Sequence, residues 1–573
     1  MGVINKIGKG KIGVLITLVF LLLLNWAASL YHARIDLTNE KRFTLSAPTK
    51  KILTQLDDAV QVDIFLKGEF PSAFKKLANS TGELLQEFRE IAGNKLQYNF
   101  ISPDEVMEGT NVKWGDTLSG LGLYPINLKS QLKAGEQQQL VYPIALVHYK
   151  GKVEAVDLYA GNKTMVSASE LNSAEAMMEF KFANAIHKLT TVNKPMIAYA
   201  DGNGEPPIGS YITYDLVENV LRTDYNLFKF NLSTQRAIPD TFQLLLMVKP
   251  TLAFTDEEKL KIDQFVMRGG KLLMFVDKLN AELDSLRIKN EVVAYDRGLA
   301  LNDLMFKYGA RINSDLVMDL QCDFLPFDVN GNGQYEFLHW NYFPLFETKG
   351  NHVINKNLGL ISGKFVNSID TIEAEGIHKT ILLSASANAR SIATPALISG
   401  KENVNAPEDA QFKKANIPVA VLLEGKFQSL FSNRLSQPMQ DSLDHYGISF
   451  LTQCLHDNKM IIVSDGDMVL NGMQKEEPLP MGMNPFTVGS TYQYEFANKA
   501  FLQNSLDYLI NPSGLSEAKA KDYTLRLLDK KKLEMQRTTW QIINIALPIL
   551  LVLLFALIYQ WLRRRKYTQA HHG

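Results

Sequence analysis

The segment Thr255-Asp-Glu-Glu-Lys-Leu-Lys-Ile-Asp-Gln-Phe-Val-Met-Arg-Gly-Gly-Lys-Leu-Leu-Met-Phe-Val-Asp277 reads as a helix, a stop and a buried strand. Thr255 with Glu258 three positions later is a capping box, in which each side chain serves the other residue's backbone amide. The helix runs to Arg268, and Gly269-Gly270 ends it. Lys271–Asp277 then carries an unbroken apolar run of strand length, the pattern of a strand covered on both faces. Upstream, Met196–Ala200, Leu227–Leu232 and Phe242–Val248 read as strands, with a turn at Asp201–Pro207 and a helix at Tyr211–Arg222. Downstream, Arg297–Tyr308 reads as a helix and Ile312–Met318 as a strand. This alternation predicts an α/β domain with a parallel sheet between helical layers, Rossmann-like or flavodoxin-like, whose first part spans 195–320.

The region 44–190 carries its own pattern. Val60–Leu66 is strand-like, Pro71–Ala92 has a helical apolar face, and Leu96–Ile101 alternates like a second strand. Leu140–Tyr149 and Val153–Leu158 flank Lys150-Gly151-Lys152 as a hairpin, and a helix from about Ser169 to Leu189 follows. The order βαβ then ββα predicts a thioredoxin-like domain. The chain's two cysteines, Cys322 and Cys454, lie elsewhere, so thiol redox chemistry is excluded for this domain.

Residues 321–450 read as an irregular β insertion or a further domain, with strands at Thr380–Ser384 and Pro418–Leu423 and a polar loop over 400–416. Met460–Asp465 is another buried strand, so 451–512, with a helix at Phe496–Ile510, is expected to return to the α/β domain and complete its sheet. A charged helical linker over 514–537 follows.

Each end carries an apolar run of membrane length. Ile12–Tyr31 is 20 residues without a charge, and Thr538–Leu562 is 25 more. Lys6, Lys9 and Lys11 precede the first, and Arg563, Arg564, Arg565 and Lys566 follow the second. Lys and Arg favour the cytoplasmic side, so 1–11 and 563–573 are expected inside and the body between the spans outside. Ala27-Ala28-Ser29 leaves open whether the first span is cleaved as a signal peptide. The formal net charge is -1 and the flanks hold only basic residues, so the body is mildly acidic and has no general footprint for nucleic acid.

Candidate sites are few. Asp201, Asn203 and Glu205 follow a buried strand, where α/β sheets bind ligands, or form a tight turn. Asp465 and Asp467 are placed to hold a metal at a sheet edge or to cap a turn. Asp328–Glu336 has the opening spacing of a calcium loop, with His339 where a bidentate Glu belongs. The aromatic run from Tyr335 to Phe346, with Trp340, Tyr342 and Phe343, reads as a core or domain-interface strand or as a partner surface. Asn25, Gln541 and Asn544 are candidates for helix packing in the membrane, and Pro548 for a kink. There is no catalytic constellation, no His/Cys cluster at metal-ligand spacing and no cofactor motif. Without a phosphate-binding loop, the chain is not an ATPase on its own.

Thr44-Leu-Ser-Ala-Pro-Thr-Lys-Lys-Ile-Leu-Thr-Gln-Leu56 resembles the opening of ABC-transporter auxiliary proteins. Met196-Ile-Ala-Tyr-Ala-Asp-Gly-Asn-Gly-Glu205 is similar to their strand ending in Gly-His-Gly-Glu, with Asn203 in place of the His. Gly269–Asp277 and Val463–Asn471 match two further family stretches. Within that family the resemblance is to the gliding-motility GldG group. It implies a non-enzymatic, substrate-binding-like accessory subunit in the periplasm of a bacterium with two membranes. Its partners would be a multi-span permease (GldF-like) and a cytoplasmic ATPase (GldA-like) at the inner membrane. The residues leave other readings open: a receptor for a small sugar or peptide, an anchored hydrolase using Asp465 and Asp467, or a structural envelope scaffold.

Overall fold

A computed structural model describes residues 18–23, 25 and 44–568, apart from 69–71, 133–134, 160–167, 192, 284–290, 330–331, 349–351, 357, 400–408, 446, 448, 511–513, 516–517 and 519–529. It mixes helices with sheets that contain parallel segments. Contacts divide the chain into two units, Met1–Asp522 and Tyr523–Gly573.

The larger unit begins with α1 (Ala47–Thr54), whose Ser46 side chain accepts from Thr49 N as an N-cap. Then come β1 (Val60–Ile64), α2 (Ser72–Ala92), β2 (Leu96–Phe100), β3 (Ile144–Tyr149), β4 (Lys152–Asp157) and α3 (Ala168–Thr190). The sheet order is β2-β1-β3-β4, with β1 and β2 parallel and the other pairs antiparallel. Lys150 and Gly151 both have positive φ, 46° and 77°, as the two-residue hairpin between β3 and β4 demands. The expected strand Leu140–Tyr149 is two strands, Gly135–Val141 and Ile144–Tyr149. Pro143 separates them, because it has no amide to give a ladder. Leu77, Leu85 and Phe88 of α2 share one core with Phe182, Ala183 and Ile186 of α3.

The second sheet of the same unit has seven strands. It uses β5 (Met196–Asp201), β6 (Asn226–Asn231), β7 (Leu244–Val248), α4 (Asp256–Met267), β8 (Lys271–Phe275), β9 (Ile377–Ser384), β10 (Pro418–Gly425), β11 (Asn458–Val463) and α5 (Asn498–Ile510). Its order is β9-β10-β11-β8-β7-β5-β6. Strands β6, β5, β7, β8 and β11 run parallel, and β10 and β9 add an antiparallel hairpin at one edge. The capping box forms as read: Glu258 Oε2 accepts from Thr255 N at 2.8 Å, and Thr255 Oγ1 accepts from Glu258 N. Gly270 has a further reason to be glycine, since a Cβ there would lie 2.3 Å from the Phe265 ring.

Two expected helices differ. Tyr211–Arg222 is a 3-10 turn (Tyr211–Thr213) followed by a π-helical segment (Asp215–Leu221). Asp215 N donates to Asn471 Oδ1 at 3.0 Å, and its carboxylate accepts from Asn471 Nδ2 and Met481 N, so side-chain partners compete with the helical ladder. Arg297–Tyr308 narrows to Asn302–Tyr308 because Gly298, at φ 71°, turns the chain after a strand at Glu291–Asp296.

The smaller unit contains α6 (Lys530–Thr568), a continuous helix with Pro548 inside it. Its stretch Thr538–Arg565 is long and apolar enough to cross a membrane; none of its side chains is buried, and Gln541 and Asn544 are exposed. Of the first expected span only 18–23 and 25 are described; they are helical and exposed, Asn25 among them, and the rest of 12–31 lies outside the described residues.

Candidate functional site

Strands β5, β7, β8 and β11 release the chain at the same, carboxyl edge of the sheet, where an open α/β sheet places its ligands. After β7 comes Lys249, at φ 45°; after β8, Val276 and Asp277; after β11, Ser464, Asp465, Gly466 and Asp467. Lys249 Nζ lies 2.7 Å from Asp467 Oδ1, 3.1 Å from Glu282 Oε2 and 3.4 Å from Asp277 Oδ2. A Cβ on Gly466 would stand 2.7 Å from Lys249 Cβ, so a glycine lets the β11 turn pass the lysine.

Carboxylate oxygens of Asp277, Asp465 and Asp467 converge within 4.8 Å of one another. Asp277 accepts from Gly466 N. Asp465 Oδ1 accepts from Asp467 N at 2.8 Å and Met468 N at 3.1 Å, and its Oδ2 accepts from Lys364 N at 2.9 Å. Asp465 therefore caps the short turn Asp467–Val469. Burial pushes the Asp277 carboxyl up to about 6, and burial together with Asp277 and Asp467 raises Asp465 well above the usual carboxylate range. Burial alone would raise Asp467 too, but the Lys249 and Lys364 charges outweigh it and hold Asp467 low. Burial also opposes the Lys249 charge, and Asp467, Asp277 and Glu282 reverse that effect and raise its pKa.

Lys249 supplies the positive charge to Asp277, Asp467 and Glu282, while Asp465 is held by backbone amides. The adjoining cleft, lined by Asp323, Lys364, Asp467 and Asn484, has a free volume of about 10 Å³, room for one water and no organic substrate. The cluster is a cross-link between strand ends.

Asp201, Asn203 and Glu205 form a second, separate knot on the same edge. Asp201 pairs with Lys229 at 3.1 Å, and Asn203 N donates to Glu205 Oε2 at 2.8 Å. Thr251 N and Leu252 N, just beyond Lys249, donate to Asn203 O, so residues 249–252 bridge the two knots. Gly204, at φ 80°, passes so close to Thr251 that a Cβ would lie 2.0 Å from its Oγ1. Asn203 Oδ1 and Glu205 Oε1 are buried without a hydrogen-bond partner among the described residues, and burial raises the Glu205 pKa.

Sequence reasoning missed Lys249, Asp277 and Glu282. For the first two a signal existed: each directly follows a buried strand on the carboxyl side. Of the two readings of the aromatic run, the structure takes the core strand, and the partner-surface reading of Trp340, Tyr342 and Phe343 is corrected. Trp340, Tyr342 and Phe343 are buried in one cluster with Phe327 and Phe365, and Tyr335 alone of the four is exposed. The strand Glu336–Phe346 is covered on both faces from Trp340 onward. Asp328 spends both carboxylate oxygens on Asn332 N and Gly333 N at 3.1 Å, the geometry of a turn. Cys322 and Cys454 are free and buried, and burial pushes the Cys454 thiol up to about 11.

Comparisons with known proteins reach both sheets of the larger unit. A family model described as "ABC-type uncharacterized transport system" matches residues 194–505. A second, described as a domain of unknown function, matches 39–148. An uncharacterized protein of Borreliella burgdorferi is 19% identical over 433 residues, covering 74% of this chain and 78% of that protein. Among solved structures, the mmIFT52 N-terminal domain is similar at 12% identity and a TM-score of 0.30, over 55% of this chain and 96% of that one. The match over 194–505 takes in every strand of the seven-stranded sheet and more than half of the sequence, and the chain belongs to the ABC-type uncharacterized transport system family.

Proposed function

We propose that this protein is a non-catalytic, membrane-anchored accessory subunit of an ABC transport complex, working with a GldF-like permease and a GldA-like ATPase in gliding motility. The observation that carries this reading is the pairing of the family match over 194–505 with the exposed apolar helix Thr538–Arg565. In this reading 12–31 is a second, retained span, both termini are cytoplasmic, and the body is periplasmic, thioredoxin-like over 44–190 and flavodoxin-like from 195. The sheet orders β2-β1-β3-β4 and β6-β5-β7-β8-β11 support those two descriptions. The one-water cleft beside Asp467 supports the absence of catalysis there. Asn25, Gln541 and Asn544 then meet the permease, where interhelical polar contacts hold membrane helices together. Affinity purification of the tagged full chain in mild detergent tests this: a permease and an ATPase are expected to copurify, and a chain that always purifies alone defeats it.

The buried, unpartnered Asn203 Oδ1 and Glu205 Oε1 favour one second reading, a receptor for a small polar ligand at the switch point between β5 and β7. A thermal-shift screen of sugars and short peptides checks it, and a hit must disappear in Asp201→Ala.

A further inference from the structure

At the opposite, amino edge of the seven-stranded sheet lies a larger cavity of about 350 Å³, within the range of small-molecule sites. It is bounded by the loop Arg268–Lys271 between α4 and β8, by Phe242 and Gln243 before β7, by Phe265, and by Leu509 and Ile510 at the end of α5. The apolar wall is Phe242, Phe265, Leu509 and Ile510. The polar lining is rich in donors and poor in acceptors. Asp240 is its one carboxylate, and Asp240 Oδ1 already accepts from Arg268 Nε at 2.6 Å. Arg268 Nη2 donates to Ile238 O at 3.0 Å, while Nη1 has no acceptor among the described residues. Gln243 Oε1 is taken by Met196 N at 3.0 Å. Lys271 Nζ donates to Asn458 Oδ1 at 2.5 Å, and none of the ion pairs among the described residues includes it. A half-buried ammonium with a single neutral acceptor, beside an apolar wall, is a cation short of its counterion.

We propose that this cavity binds a small apolar monocarboxylate, its carboxylate meeting Lys271 and its body lying against Phe242, Phe265, Leu509 and Ile510. The charge count allows one negative charge. The Arg268–Asp240 pair is neutral and Lys271 adds one positive charge. Burial lowers the Lys271 pKa, with the Lys459 charge acting in the same direction, so an incoming anion relieves a cost already present in the empty cavity. The charge count favours a monoanion over a dianion such as a phosphate ester, and the phenylalanine wall favours an apolar body over a polyol.

Isothermal titration of the full chain in mild detergent with 3-phenylpropionate, and with 3-phenylpropan-1-ol as its uncharged counterpart, tests the proposal. The acid is expected to bind, and the alcohol at least tenfold more weakly. Lys271→Met should weaken the acid tenfold or more while leaving the alcohol unchanged. Ile510→Trp, which fills the cavity, should abolish both. Should the methionine variant fail to fold, Lys271→Gln keeps a donor for Asn458 and carries the same expectation. No binding by the wild-type chain, equal binding of acid and alcohol, or full binding by the Lys271 variant overturns the proposal.

Discussion

Lys249 Nζ lies 2.7 Å from Asp467 Oδ1 although 218 positions separate them in sequence. The contact joins the end of β7 to the end of β11 across β8, which supplies Asp277 from between them. Removing the lysine leaves buried carboxylates without their cation, the costly way to break a buried pair. Lys249→Met is expected to lose about 3–5 kcal/mol of stability. Adding Asp467→Asn should recover part of it. Urea unfolding of the solubilised chain followed by tryptophan fluorescence measures both, and a loss under about 0.5 kcal/mol would contradict the role assigned to Lys249.

Asp277 gives a pH signature. Its folded pKa, about 6, is above the ordinary value of 3.8, so its protonated form is the one the fold prefers. That stability is fully present below the unfolded pKa and is lost as pH rises through about 6. Asp277→Asn, whose carbonyl still accepts from Gly466 N, should therefore be more stable than wild type above pH 6, by about 3 kcal/mol. The advantage should vanish below about pH 4. Thermal unfolding across that range reads the difference directly.

The buried aromatic strand separates core from surface. Trp340→Ala is expected to cost about 3–5 kcal/mol, as large-to-small changes in cores do. Tyr335→Ala, at an exposed position, should stay within about 0.5 kcal/mol. The reverse ranking in unfolding experiments would return Trp340 to a surface role.

The two sheets of the larger unit are tied by Lys188 of α3, which reaches Asp224 at 2.8 Å and Glu154 at 3.5 Å. Burial opposes its charge, and the two acids overcome that and raise its pKa. Lys188→Met should cost about 1–3 kcal/mol by leaving Asp224 half-buried and unpaired. Hydrogen exchange should then quicken in α3 before it quickens in β8. Uniform quickening of both would mean that the pair does not govern this junction.

What the sequence made readable was local. The capping box at Thr255–Glu258, the glycine stop and the β8 run all depend on neighbours within a few residues, and each forms as read. The misread pieces depend on distant partners. The π-helical segment at Asp215 answers to Asn471, 256 positions away. Trp340 to Phe346 lack alternation because both faces are covered, so periodicity could not sort inside from outside. Of the candidate site, Asp465 and Asp467 were readable as acids after a buried strand. The position of Lys249 after a buried strand was readable too, but its role was not, because that role comes from the three acids the topology brings to it.

The place of β11 between β8 and β10 also governs how the protein is made. Leu272 of β8 pairs with Met460, so one rim of β8 has no ladder partner until the ribosome has finished β11, nearly two hundred residues later. At about 5–20 residues per second, that is a wait on the order of 10–40 s. During it, an apolar strand presents open amide and carbonyl groups to any other nascent strand. A chain cut short before Asn458 keeps the open rim for good.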